Sequence, residues 1–559
     1  MAMTSIANGI FKQLIFVPEA VNAAGISDLG TIATTSTTLF AYTGSIATTI
    51  TAAGSDETTI VFPTVSTAGI LPKGSTLTFS NSATKYYTAA DVTIALGTSV
   101  SVTVTLTDSL TTALTAATGA TLSVQNSPKA IVRMLRRVTS NIDLKKATYS
   151  SNEIRTDAQL ADFRHGGVSV EGSINGELSG NTYQDLMGAV LRKDFKTSIS
   201  KAITTGATIA ATTVANTASG LAFTLTLQSL GDLTLSNSAS DKLRTGDIVW
   251  FDGLGATYAN NTYCPLIILN ITLNATTAVL TLIPVVKPAA WTDITTGATL
   301  GIVNYEVLGK KSYIPLTGHT KRSFQFEHYY KDVSTAGALN ASGVLASELF
   351  VGCRPTQMSI KLPSTGLATC DFTIMGQRMK TPTDYSQSFV GEKSLLENIT
   401  TSTPLDSGVD PIFSAAVGSI YMRDKVGGTI QKVGLITSFD FTVNGNGSKA
   451  DVVGSDQTPD IFLGKISVSG NLSIYFVDTT WRDVFYKEQE ASLIAVFTSN
   501  SVGDNTTKCL SVVMPRIKTG GASKDDGDKG LIMTVPFTAL LGDGTLGFEP
   551  TTLQIQDFS

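Results

Sequence analysis

Three histidines, four cysteines and one short acidic run are the residues of this chain best suited to chemistry, and their spacing argues against it. His165, His319 and His328 form no His-x-x-x-His pair, and neither a Gly-x-Ser-x-Gly elbow nor a Walker loop occurs. His165 beside Gly166 and His328 beside Tyr329 read as turn or surface residues. Cys264, Cys353, Cys370 and Cys509 make no close pair with metal spacing. Cys353 and Cys370 could face each other across a hairpin, but free buried thiols are the plainer reading. Asp525-Asp526-Gly527-Asp528 is acidic enough to hold calcium weakly. It lacks the 12-residue loop pattern and closing Glu of a calcium site, so a solvated loop is expected. Arg133, Arg136 and Arg137 could grip a polyanion, yet in a strand they are better paired with acids of a neighbouring subunit. No catalytic constellation, cofactor site or metal site is expected, and nothing supports the paired carboxylates of a glycan-cleaving enzyme.

With chemistry set aside, composition points to architecture. Of 559 residues only 15% are charged, well below the usual quarter, and Thr, Ser, Gly and Ala fill the space. That composition suits short strands and turns better than helices. Lys plus Arg total 40 against 45 Asp plus Glu, so the formal charge of -5 leaves no basic footprint for nucleic acid. Met1 to Phe16 lacks a signal-peptide layout, and no run of 18 apolar residues predicts a membrane span.

A strand pattern then recurs. Gly166-Gly167-Val168-Ser169-Val170-Glu171-Gly172-Ser173-Ile174 returns as Gly464-Lys465-Ile466-Ser467-Val468-Ser469-Gly470-Asn471-Leu472, 298 positions on (464 minus 166). The flanks keep that offset: Thr139-Ser140 matches Thr437-Ser438, Thr182-Tyr183 matches Thr480-Trp481, and Asp185 matches Asp483. A strand, a turn and a short helix in the same order predict a duplicated β-rich domain. The first strand is expected to bulge or turn at Gly172, because its apolar residues do not all share one face. Asn181 is expected to cap a helix with Gln184 at its third position. Tyr183, Leu186, Met187, Val190 and Leu191 form its apolar stripe, which must lie on the neighbouring sheet. In the second copy Thr480 takes the cap position, and Trp481, Val484 and Phe485 continue the stripe.

Along the chain, 1–29 reads as an N-terminal strand or arm, and 30–128 as a Thr-rich small β insertion. Residues 129–197 hold the first core, 198–318 a second small β insertion, and 319–559 the second core with C-terminal strands. Ser323–Glu327 alternates as a strand, and Met358–Leu362 with Cys370–Gly376 flanks a Pro/Gly turn as a hairpin. The fold class is mainly β: two similar sandwich or barrel domains, each with a short packed α-helix, plus small inserted β domains. Open, weakly charged strand edges invite pairing with further copies of the chain. A ring of n duplicated chains can imitate one of 2n units, and head-to-tail stacking leaves the assembly open.

Several strings carry a resemblance. Leu144-Lys145-Lys146, Tyr149-Ser150-Ser151-Asn152-Glu153-Ile154-Arg155, Ala161–Gly166 and Glu171–Ser179, then Ser323–Glu327, Phe350–Arg354 and Phe372–Gly376, resemble the major tail tube protein of long-tailed bacteriophages. The likeness covers roughly 130–195, 320–559 and the first 25 residues. It implies tail-tube-type β domains that line a hollow tube of stacked rings in the virion tail. Duplicated members of that family form trimeric rings with pseudo-sixfold symmetry. Expected partners are further copies of the chain, a tape-measure protein, a tail terminator and distal tail proteins, with double-stranded DNA passing through unbound. The Thr-rich insertions depart from a compact member and are expected outside the tube.

A conduit must not hold what it conducts, so an acidic or neutral lumen is expected, with Glu171, Glu177 and Asp440 facing it. The segments Lys145–Asp162 and Asn444–Asp460 are expected to reach a neighbouring ring or chain. The competing readings are a β-domain adhesin or fibre and a virion decoration or capsid protein, the last weakened by the lack of a long helical pattern.

Overall fold

The computed structural model describes, with short breaks, residues 12–21, 133–196, 243–330, 347–380, 411–423 and 430–558, and isolated strands or residues elsewhere. The side chains of 30–128 lie outside the described residues, as do Asp526 and Asp528 of the acidic run.

The strands that build the main body are numbered here in chain order. β1 (Lys12–Val21), β2 (Asp143–Ser150) and β3 (Phe163–Glu177) come ahead of helix α1 (Gln184–Leu191). After it come β4 (Phe324–Tyr330), β5 (Ser347–Leu362) and β6 (Thr369–Gly376). The C-terminal half supplies β7 (Ser419–Arg423), β8 (Ile436–Asn444) and β9 (Ser467–Tyr475), then helix α2 (Thr480–Tyr486). It closes with β10 (Ala491–Thr498), β11 (Cys509–Thr519), β12 (Ser523–Lys524) and β13 (Ile532–Leu540).

All of these pair antiparallel. In the N-terminal half β1 pairs β4, β4 pairs β5, β5 pairs β6, β6 pairs β3 and β3 pairs β2. In the C-terminal half β7 pairs β10, β10 pairs β11, β11 pairs β13, β13 pairs β9 and β9 pairs β8. One further pair, β5 with β8, joins the halves. The result is a continuous front sheet in the order β2-β3-β6-β5-β8-β9-β13-β12, with shorter sheets packed behind it.

The period-two pattern decides where the core sits. Val170, Ile174, Phe372, Ile374, Phe439, Phe441, Val468, Leu472 and Val535 alternate along their strands and are buried between front and back sheets. Tyr183 stacks on Phe372 with ring centroids 5.6 Å apart, and its hydroxyl donates to the Arg136 carbonyl at 2.6 Å. Burial pushes that phenol well above its usual pKa, so it stays a neutral donor.

Several local expectations are corrected. β3 runs unbroken through Gly172, in register with β6 from Val170 to Glu177. Gly172 faces the core where β2's approach crosses closely: a Cβ there would lie 2.5 Å from the Ile142 Cα. Neither helix uses the expected side-chain cap. Asn181 sits in the left-handed region at φ 59, and the Asp557 carboxylate accepts from its backbone N–H at 2.7 Å and from the Gln184 side chain at 2.8 Å. A carboxylate from the C-terminal strand thus fixes the turn that leads into α1. At α2, Asp478 accepts from the Thr480 N–H at 2.9 Å. His328 is wholly buried in β4, edge-on to Phe350, and is no turn residue.

Strands between Ser200 and Val307 form a separate eight-stranded sheet. Ile248, Ile267, Leu269 and Ile283 of this unit pack onto Tyr421, Ile494, Val496 and Val513, on the outer face of the C-terminal half. Several buried charges here are paired, as burial demands. Lys311 Nζ lies 3.0 Å from Asp247 Oδ2, Gln554 donates to Asp247 Oδ1 at 2.8 Å, and Arg244 pairs with Glu549 at 2.8 Å.

Candidate functional site

Strand alternation that buries one face of the front sheet must present the other. That second face is polar across both halves of the chain. From β3 it carries Glu171, Ser173, Asn175 and Glu177, and from β6 Thr369, Asp371 and Thr373. β5 adds Ser359 and Lys361, β8 adds Asp440 and Thr442, and β9 adds Ser469, Asn471 and Ser473. Cross-strand partners lie in rows: Glu177 opposite Thr369, Thr369 opposite Lys361, Lys361 opposite Asp440, and Asp440 opposite Asn471. The row crosses the junction between the halves without a break.

The polar groups bind one another. Asn175 donates to Asp371 at 2.6 Å, Asn471 to Asp440 at 3.2 Å, and Thr442 to Ser359 at 3.2 Å. Glu171 has Lys449 Nζ 3.8 Å away, with about 42% of its side chain exposed. Such a face is wet, weakly acidic and laced flat. It has no concave arrangement of acid, base and nucleophile. Among the described residues no group of His, Cys, Asp and Glu could hold a metal ion. All four cysteines are buried and free, and desolvation raises their pKa values, which makes the thiols poor nucleophiles.

The junction is reinforced on both sides. α1 lies against β5 and β8, and Arg192 at its C-terminus donates to the Gly445 carbonyl at 3.2 Å and the Gly464 carbonyl at 2.5 Å. The two ends of the segment Asn444–Asp460 are tied to the N-terminal half of the same chain, and Val453 between them is fully exposed. Arg354 pairs with Asp460 at 2.5 Å, Thr458 donates to the Val168 carbonyl at 3.3 Å, and Gln377 donates to the Pro459 carbonyl at 2.6 Å. Arg133 likewise finds its acid in its own chain, at Asp185, 3.1 Å away.

The helix residues are placed unequally. Tyr183, Leu186, Met187, Trp481 and Val484 are buried. Phe485 is 44% exposed, against the expectation that it packs on the sheet. Asp371, which belongs to the polar face as much as Asp440 does, was missed by sequence reasoning. The alternation Cys370-Asp371-Phe372-Thr373-Ile374 carried the signal that could have found it.

A family model described as phage tail tube protein matches residues 109–539. The chain belongs to the phage tail tube family. The match covers well over half of the chain, including β2 through β12, β13 up to Ala539 and the junction between the halves. No curated protein matches it. Tail tube proteins are structural and non-catalytic, and this one is no enzyme. Its mostly β architecture, with few helices among the described residues, is consistent with a tail-tube-like β-rich fold, and its place is the phage tail.

Proposed function

We propose that this tail tube protein is a duplicated wall subunit, three copies of which close a ring whose bore is the polar face of the front sheet. The observation that carries the reading is the recurrence of five strand pairs in the two halves, with one polar face running across both. The motif positions agree too. Ile174 of β3 faces Phe372, and Leu472 of β9, 298 positions on (472 minus 174), faces Val535. Gly172 and Gly470 share a role: a Cβ on Gly470 would press on the Asp440 carbonyl oxygen and lie 2.6 Å from Phe537 Cζ.

The size of such a ring is compatible with a conduit. Each chain offers eight front strands, so three offer 24. At about 4.8 Å per strand the perimeter is about 115 Å and the backbone diameter about 37 Å, more if the strands tilt. A side-chain layer of about 5 Å leaves an open bore, unlike the filled interior of a small barrel. Glu171, Glu177, Asp371 and Asp440 then face the lumen, with Lys361 among them. Their charge repels phosphate, so DNA slides through without being held. Rings stack head to tail through heterologous contacts, around a tape-measure protein and between a terminator and distal tail proteins. The inserted unit at 198–318 sits on the outer side and thickens the wall.

Electron microscopy of the purified protein tests the reading. Hollow tubes with a regular axial repeat are expected; globular monomers at high concentration would overturn it.

A further inference from the structure

We propose that Lys311 and Asp247 condense into an amide, a covalent cross-link that seals the unit at 198–318 at the strand by which the chain returns to the main body. The bond forms within one chain, so it stands or falls separately from the ring.

Burial and contact single out this pair. Asp247 is wholly buried and Lys311 is 9% exposed. Lys311 Nζ lies 3.2 Å from Asp247 Oδ1 and 3.0 Å from Oδ2. Touching both oxygens at those lengths puts Nζ about 3–3.5 Å from the carboxyl carbon between them, the separation of a near-attack pair. The ion pair carries two charges that burial penalises, and the amide carries none. Gln554, Gln556, Arg244 and Glu549 around the pair are buried too, which keeps out the water that would reverse the bond. Arg244 and Glu549, 2.8 Å apart, cannot react in this way, because a guanidinium keeps its proton inside a protein.

The carboxyl group is held and polarised. Gln554 Nε2 donates to Oδ1 at 2.8 Å, and the Arg244 backbone N–H donates to Oδ2 at 2.9 Å. A donor on Oδ1 stabilises the charge that this oxygen takes on when its carbon is attacked, as in an oxyanion hole. Both backbones are fixed. The Ile268 N–H donates to the Asp247 carbonyl at 3.0 Å. Lys311 exchanges backbone hydrogen bonds of 3.0 Å with Lys196 and stands opposite Gln556 of the C-terminal strand. Such fixed orientation replaces the entropy cost of bringing two groups together.

The step balances within the pair. The Lys311 ammonium passes one proton to Oδ2, which leaves a free amine facing a carboxylic acid. The Nζ lone pair attacks the Asp247 carboxyl carbon, the C–O bond to Oδ2 breaks, and a second Nζ proton departs with that oxygen as water. An N–C bond replaces a C–O bond, and no oxidant or co-substrate takes part. The product closes a loop between positions 64 apart. Inside that loop lie the strands Leu266–Leu273 and Thr277–Pro284, whose Ile267, Leu269 and Ile283 pack on the main body. Closing a long loop removes freedom from the unfolded chain, so the outer unit resists unravelling.

The intact mass of the purified full chain reads the bond. Wild type should be one water lighter than its sequence, and a protease digest should give a branched peptide joining Lys311 to Asp247. Lys311→Arg keeps the cation and should restore the full mass. Asp247→Asn should form the same amide by losing ammonia in place of water. An Asp-Gly succinimide is also one water lighter, but mild base hydrolyses it and spares the amide. The wild-type digest needs no variant, so it decides even where a variant folds poorly. A wild-type chain of full sequence mass would overturn the cross-link, as would a missing water that persists in Lys311→Arg.

Discussion

Lys361 on β5 and Asp440 on β8 stand directly opposite each other in the strand pair that joins the two halves of the chain. Both point to the polar face, away from the core. Opposite charges directly across a sheet contribute about 0.2–1 kcal/mol, and like charges cost a similar amount. Asp440→Lys should therefore lower stability by about 1 kcal/mol, since it also removes the acceptor for Asn471. Adding Lys361→Asp should return about half of that. Urea midpoints of the two single variants and the double variant check it, and purely additive losses would mean that the pair does not interact.

The close strand crossings at Gly172 and Gly470 make a sharper demand. The atoms that an added methyl would meet include the backbone of the adjacent strand, which cannot swing aside. Gly172→Ala and Gly470→Ala should each cost about 1–3 kcal/mol. Gly434→Ala, where no atom lies within 4 Å of the added carbon, should change stability by less than about 0.5 kcal/mol. Thermal unfolding of the three variants separates them.

His328 gives the fold a dependence on mild acid. It is wholly buried, its Nε2 lies 2.9 Å from Ser140 Oγ, and its Nδ1 lies 3.5 Å from Glu348 Oε2. Desolvation lowers its pKa below the usual 6.5, helped by Lys12 and Arg137 and opposed by Glu348. Below about pH 6.5 the unfolded chain takes up a proton that the folded chain refuses, so stability falls as pH drops towards the folded value. Glu348 acts elsewhere: its pKa is held down by the His328 hydrogen bond, and its contribution is lost only as pH falls through that lowered value. Between pH 7.5 and 5.5 the wild-type protein should lose about 1 kcal/mol, from a limit of about 1.4 kcal/mol per pH unit per proton. His328→Gln should flatten that slope in urea titrations; an unchanged slope would assign it to another group.

Much of the strand pattern was legible in the sequence because strand alternation is a local signal. Phe372 and Ile374 against Asp371 and Thr373 identify a two-faced strand without any structure. The stripe from Tyr183 to Leu191 identifies a helix face in the same way. What was not legible depends on partners far along the chain. Asn181 is no cap: it sits in the left-handed turn before α1, held by Asp557 from the opposite end of the chain. His328 is buried because β1 and β5 flank its strand on both sides. Phe485 and Met187 match in sequence, and Met187 is covered because α1 packs against β5, Lys310–Tyr313 and β8, all distant in the chain. That Asn444–Asp460 is anchored at its end depends on Arg354, a residue far back in the chain, which pairs with Asp460.

Lumen charge makes a prediction about DNA. Converting Glu177 and Asp440 to lysine in every subunit should turn a repelling bore into a binding one. Tubes of that variant should retain duplex DNA at about 50 mM salt and release it near 200 mM, as phosphate contacts lose affinity steeply with salt. Wild-type tubes should retain little at either concentration. Equal retention by both in a co-sedimentation assay would place these residues away from the bore.

If one chain supplies two neighbouring wall segments of the tube, a projection image down the tube axis should show threefold symmetry with six similar lobes around an open bore, three of them thickened on the outside by the unit at 198–318. A ring of six whole chains, each presenting both halves, would contradict it.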